Sequence, residues 1–230
     1  MKLLVLSGWN TPAHLIEAFC RPVAKSLNIE CELLNYTGAQ ISFEAQIQKW
    51  DTQYKNETLL IVAWSLGGNL ALKWQETNPN IQSVVTVATN LQFVDEQLGM
   101  APKQYKQFCQ GFENPNPILQ KKFLQLVCQG APKPLIKQLK SVYAESTVDI
   151  KTLHRSLLWL DEIKLDQHKV NANTHNQHWF AKQDVLVPSD ASSLFDNSRV
   201  FEGSHAFFLE DEALYQNYLI SCFESLAENA

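Results

Sequence analysis

Ser65, Asp184 and His205 are the side chains whose types and order could perform covalent chemistry. A serine hydroxyl is a weak nucleophile until a base removes its proton. An imidazole can do this if a carboxylate fixes its tautomer and stabilises its charged form. The chemistry would be acyl transfer. Ser65 attacks a carbonyl, His205 takes the proton and returns it to the leaving group, and Asp184 steadies His205. The tetrahedral oxyanion needs two donors. The backbone N–H of Leu66, just after the serine, is one candidate, and that of Trp9 is the other. Each residue also has a plain alternative. Ser65 could cap a helix, Asp184 could close a turn with Asp190 and Asp196 as rivals nearby, and His205 could be a surface loop histidine. Trp9 could be plain core, and its side chain could equally pack over a substrate.

The elements around these residues give them a reason to converge. Leu59 to Ala63 is an apolar run of strand length. Ser65 follows it, and Gly67 and Gly68 open a pattern with Leu66, Leu70 and Trp74 at helical spacing. Strand, sharp turn and helix with a serine on the turn form a nucleophile elbow. Small residues are needed where such a turn crowds the backbone, and Ala63 and Gly67 hold those places. Further strands are expected at Leu3–Leu6 and Ser83–Ala88, both buried, and at Ile29–Leu34, His178–Ala181 and Arg199–Phe201. Helices are expected at His14–Leu27, where Pro22 should start or kink the helix, at Phe43–Trp50, at Leu66–Thr77 and at Glu212–Leu226, with a short one at Ala191–Phe195. Strands alternating with helices predict an α/β chain with a mostly parallel central sheet and helices on both faces. Ser65, Asp184 and His205 then fall just after successive strands, in the chain order of the α/β-hydrolase fold.

The alternation breaks between residues 93 and 166. Four amphipathic helices are expected there, at Pro102–Phe112, Pro117–Cys128, Pro134–Tyr143 and Lys151–Leu160. The expected organisation is a core of residues 1–92 and 167–230 with a helical cap of residues 93–166. Phe108, Phe112, Phe123, Leu124, Leu126, Val127, Leu157 and Leu160 could line an apolar channel in this cap or form its own core.

Composition narrows the function classes. With 45% hydrophobic and 19% charged residues, the 230-residue chain can bury a core. The net charge of −5 gives no overall attraction to nucleic acid. The apolar start, Met1 to Leu6, is too short for a secretory signal, and no run approaches the ~18 apolar residues of a membrane span. Five scattered cysteines, with no C-x-x-C pair, read as reduced thiols of a cytoplasmic protein. His175 and His178 have an H-x-x-H spacing, but no acidic or thiol ligand lies beside them and a strand would set them on opposite faces. No metal or cofactor is expected.

From Gln97 to Glu145 the chain carries seven lysines against Glu113 and Glu145, five net positive charges on a protein that is otherwise acidic. Lys133, Lys137 and Lys140 lie at i, i+4 and i+7, on one helix face. They are either a solvated face or a patch that draws an acidic partner to the mouth of the site.

Four strings, G-W-N at 8–10, W-S-L-G-G at 64–68, D-V-L-V-P at 184–188 and S-H-A-F at 204–207, resemble those of the BioH-type esterases, which remove the methyl ester from pimeloyl-[acyl-carrier protein] in biotin biosynthesis. The segment Ser156 to Asp166 resembles the end of that family's cap. The resemblance implies an α/β-hydrolase fold, catalysis by Ser65, Asp184 and His205, and a site lined by Trp9 and Leu66. It further implies that basic cap residues hold the acidic carrier protein. Three departures stand out. Ala63 replaces a glycine, the chain opens on the strand at Leu3 without a leading hairpin, and Lys121, Lys122, Lys133 and Lys137 stand where the family uses arginines. The reading is a monomeric cytoplasmic serine carboxylesterase without cofactor, acting on a carrier-bound methyl ester. The alternatives are a small-ester hydrolase without a carrier partner, related thioester or C–C bond hydrolysis, and a catalytically silent binding protein of the same fold.

Overall fold

The computed structural model describes residues 1–36, 39–113, 117–145 and 150–227, without the side chains of 112–113, 117–118 and 150–152. Its strands are β1 (Lys2–Leu6), β2 (Glu30–Leu34), β3 (Leu59–Trp64), β4 (Ile81–Val87), β5 (Gln177–Ala181) and β6 (Ser198–Phe201). The helices are α1 (Ala13–Ser26), α2 (Phe43–Gln53), α3 (Leu66–Gln75), α4 (Pro102–Glu113), α5 (Pro117–Val127), α6 (Lys133–Glu145), α7 (Ile150–Glu162), α8 (Gln167–Ala172) and α9 (Glu212–Ala227). The strands form one sheet in the order β2-β1-β3-β4-β5-β6, every neighbouring pair parallel.

β1 and β3 are apolar almost throughout because both of their faces are covered. Leu3 to Leu6 and Leu59 to Trp64 have no exposed surface. The connection from β1 to β2 runs one way along the sheet, and those from β2 to β3 and β3 to β4 run the other. Right-handed crossovers therefore place α1 on one face and α2 and α3 on the opposite one. Packing agrees, since α1 lies against α9 and α2 against α3.

α1 begins at Ala13 and continues through Pro22, so the helix does not start there, and the residue before its first turn is Pro12. The ring removes one backbone bond. Leu15, Ile16, Phe19, Cys20 and Val23 nonetheless bury one continuous stripe, and that burial carries the helix across the gap. The short helix expected at Ala191–Phe195 is a 3₁₀ turn over Ser189–Leu194. After β4 the described chain leaves the sheet for α4 to α8, with one isolated bridge between Val94 and Met100, and returns at β5. Within this excursion α4 packs on α7 and α5 on α6.

Strand order reverses between β1 and β3, whose following connections leave in opposite directions. In open parallel sheets such a switch point leaves a crevice beyond the carboxyl ends of the strands. The loop Gly8–Asn10 and Ser65 both stand at that crevice.

Candidate active site

Ser65 has φ 56° and ψ −126°, a backbone conformation that a side chain makes costly. Its neighbours hold it there. The Ser65 N–H donates to the Val87 carbonyl at 2.8 Å, and the Ser65 carbonyl accepts from Gly68 N at 2.8 Å and Thr89 Oγ1 at 3.0 Å. Glycine is required by close approach rather than by dihedral angle. A methyl group at Gly67 would lie 2.5 Å from the Ser7 carbonyl oxygen, and one at Gly68 would collide with the Thr89 side chain. At Gly8 it would come within 3.1 Å of Ser65 Cβ, so the loop after β1 lies directly against the serine. The Leu66 N–H opens α3, where helix geometry provides no intrahelical acceptor.

His205 and Asp184 meet. Nδ1 of His205 lies 2.8 Å from Oδ2 of Asp184, and both side chains are buried. The other carboxylate oxygen accepts the backbone N–H groups of Leu186 at 2.8 Å and Val187 at 3.0 Å. This explains why Asp184 and not Asp190 or Asp196 faces the imidazole: both rivals lie exposed. Nε2 of His205 is buried without a hydrogen-bond partner among the described residues, so no bond yet joins it to Ser65 Oγ. Catalytic hydrogen bonds are often unmade before substrate binds.

Trp64 enters the sequence reading only as the first residue of the W-S-L-G-G string. Its Nε1–H donates to the His205 carbonyl at 3.0 Å, and its ring centroid lies 5.7 Å from that of the imidazole. The residue preceding the serine thus holds the histidine loop. Gln183 is a second tie. Its side chain accepts from Gly203 N and donates to Glu202, joining the aspartate loop to the histidine loop. Neither role has a local sequence signal, because both partners are distant in the chain.

Trp9 is buried beneath the helices of the excursion. Its indole N–H donates to the Leu153 carbonyl of α7 at 3.1 Å, and its ring meets Phe108 of α4 and Phe123 of α5 edge-on at 5.5 and 5.0 Å. Asn10, beside it, has φ 50° and a buried Nδ2 with no partner among the described residues. Of the other candidate channel residues, Leu124, Val127, Leu157 and Leu160 are buried and Leu126 is half-buried, while the side chain of Phe112 lies outside the described residues. Lys121, Lys122, Lys133 and Lys137 are exposed. On α6, Leu135 and Leu139 are buried instead, which turns the lysines outward.

The two histidines with metal-like spacing do different things. His175 precedes β5, and its carbonyl accepts from Ser83 Oγ. His178 is buried in β5, with Nδ1 2.8 Å from Thr86 Oγ1 and its ring on Phe195. Burial pushes its pKa down to about 3. In the unfolded chain it would titrate near ~6.5, so between these values unfolding takes up a proton and stability falls as pH falls. Unfolding by urea should show the wild type losing about 2 kcal/mol more than His178→Asn between about pH 7.5 and 5. Equal losses would contradict this. Burial also raises the thiols of Cys20, Cys31, Cys128 and Cys222, which disfavours the nucleophilic thiolate.

No protein-family model and no curated protein sequence matches this chain. Solved structures match it along nearly its whole length. It is similar to the esterase EaEST from Exiguobacterium antarcticum at 15% identity and TM-score 0.76, over 96% of this chain and 91% of that one. A putative non-heme bromoperoxidase, BpoC, from Mycobacterium tuberculosis H37Rv matches at 12% identity and TM-score 0.80, over 97% and 92%. MenH from S. aureus matches at 12% identity and TM-score 0.66, over 98% and 94%. The fold is that of the α/β-hydrolases, as the strand alternation and the elbow predict.

Among the described residues no helix is long and apolar enough to cross a membrane.

Proposed function

We propose that this protein is a serine ester hydrolase in which Ser65 is the nucleophile, His205 the general base and then acid, and Asp184 the orienting carboxylate. The observation that carries the reading is the buried 2.8 Å His205–Asp184 pair, tied through Trp64 to a serine in an elbow conformation. With Nδ1–H donated to Asp184, the neutral imidazole presents a lone pair at Nε2. Attack on the ester carbonyl forms an oxyanion that the Leu66 and Trp9 N–H groups would receive. The leaving alcohol takes its proton from His205, and water then frees the acid from Ser65. A similar structure described as an esterase is consistent with this chemistry.

The finer reading rests on the four motif strings. The substrate is the methyl ester of pimeloyl-[acyl-carrier protein], the products are pimeloyl-[acyl-carrier protein] and methanol, and the setting is biotin synthesis in the cytoplasm. Helices α4 to α7 serve as the cap, and Lys121, Lys122, Lys133 and Lys137 draw in the acidic carrier. Exposed lysines act at a distance, raising encounter rates at low salt. Replacing these four with glutamine should lower kcat/KM for the carrier-bound ester by about ten-fold relative to a free methyl ester, read as methanol release at low ionic strength. An equal effect on both substrates would defeat carrier docking and leave a general small-ester hydrolase. Growth of a biotin-requiring strain lacking its own esterase, rescued by wild type and not by Ser65→Ala, tests the substrate itself.

A further inference from the structure

A groove between α5 and α6 has no part in the proposed triad chemistry, although Lys121 on its wall also belongs to the proposed carrier-docking set. It encloses about 700 Å³, within the range of small-molecule sites. Its walls follow from helical spacing. On α5, residues 120, 121, 124 and 125 share one stripe, which Cys128 just past the helix end continues, and on α6, residues 136, 140, 143 and 144 share another. Leu124, Cys128, Ile136 and Tyr143 line it with largely apolar surface, and Lys121 and Lys140 are the two cations among its lining residues. Neither lysine is paired with a carboxylate among the described residues, and both are exposed. Tyr143 adds a buried hydroxyl with no hydrogen-bond partner among those residues. Burial holds that hydroxyl protonated, so it remains a donor.

An apolar trough with two cations and a spare donor complements a molecule with a hydrocarbon tail and one anionic head. We propose that this groove binds a medium-chain fatty carboxylate, its tail along Leu124, Ile136 and the Tyr143 ring and its head between Lys121 and Lys140. The site is separate from the triad, but its α5 wall reaches the loop after β1. Phe123, next to Leu124, is the residue that packs on Trp9. The turn after α5 has Gly130 at φ 87°, where a side chain would collide with Gln183, beside Asp184.

The test titrates octanoate into Ser65→Ala protein by calorimetry, so that no turnover intervenes and the outcome does not depend on Ser65 being a nucleophile. Saturable binding of one octanoate per chain is expected, with octanol, which lacks the charge, bound about ten-fold more weakly. Lys121→Gln with Lys140→Gln should bring octanoate down to the level of octanol. Leu124→Trp, which fills the trough, should abolish both. Circular dichroism confirms that each variant is folded. Absence of saturable binding, equal affinity for octanoate and octanol, or octanoate binding that survives Leu124→Trp would overturn the proposal.

Discussion

Ser65→Ala is expected to lower kcat/KM for ester hydrolysis by about five to six orders of magnitude while leaving the protein as stable as wild type. The two halves of this expectation have separate causes. Without Oγ there is no acyl-enzyme, and His205 has nothing to deprotonate except water. Stability is spared because alanine keeps the same Cβ, so the strain at φ 56° is unchanged. No hydrogen bond to Ser65 Oγ exists among the described residues, so no partner is stranded. Ser65→Gly should be as inactive but more stable than wild type by about 1 kcal/mol, since glycine adopts this conformation without the Cβ penalty. Ester turnover and urea unfolding of the three proteins check this. Full activity in Ser65→Ala would mean that another group attacks the substrate.

Asp184→Asn is expected to cost about 10⁴ in kcat/KM, again with little loss of stability. The asparagine carbonyl can still accept from Leu186 and Val187 N–H, which Oδ1 accepts now. Its NH₂ group would face Nδ1 of His205, which must then accept rather than donate. The ring proton moves to Nε2, and the lone pair needed to take the serine proton is lost. Asp184→Ala separates chemistry from folding. It removes the acceptor as well, leaving two backbone N–H groups without their partner at a cost of about 1–3 kcal/mol each. Comparable activity in Asp184→Asn and wild type would remove Asp184 from the mechanism.

The parts of this molecule legible in sequence are those that local physics determines. Strands β1 and β3 are covered on both faces, so Leu3–Leu6 and Leu59–Trp64 appear as short apolar runs with no polar interruption. The elbow is legible because Gly67 and Gly68 must be small at fixed distances from the serine. Asp184 could be chosen over its rivals by its place after a strand, but the reason it points inward was hidden. That reason is a turn in which Leu186 and Val187 fold back to donate to it. The helix α8 was missed because only Val170 of its residues is buried, so it has no apolar stripe; it is started by Asp166, which accepts from His168 and Lys169 N–H. Pro22 does not start α1, because a rule about single residues yields to a helix face buried along its length. Trp64, Thr89 and Gln183 could not be found at all, since each acts on a partner brought near only by the sheet. The groove between α5 and α6 belongs to the same class, as it depends on how two helices pair.

The most direct measurement is covalent labelling. A fluorophosphonate reacts with a serine only if that hydroxyl is activated by a neighbouring base and the phosphoryl oxygen is received by nearby donors. Intact-mass analysis of the treated protein should show one adduct per chain, peptide mapping should place it on Ser65, and His205→Ala should remove it. An unmodified mass in the folded wild type, or an adduct on a residue other than Ser65, would contradict the account.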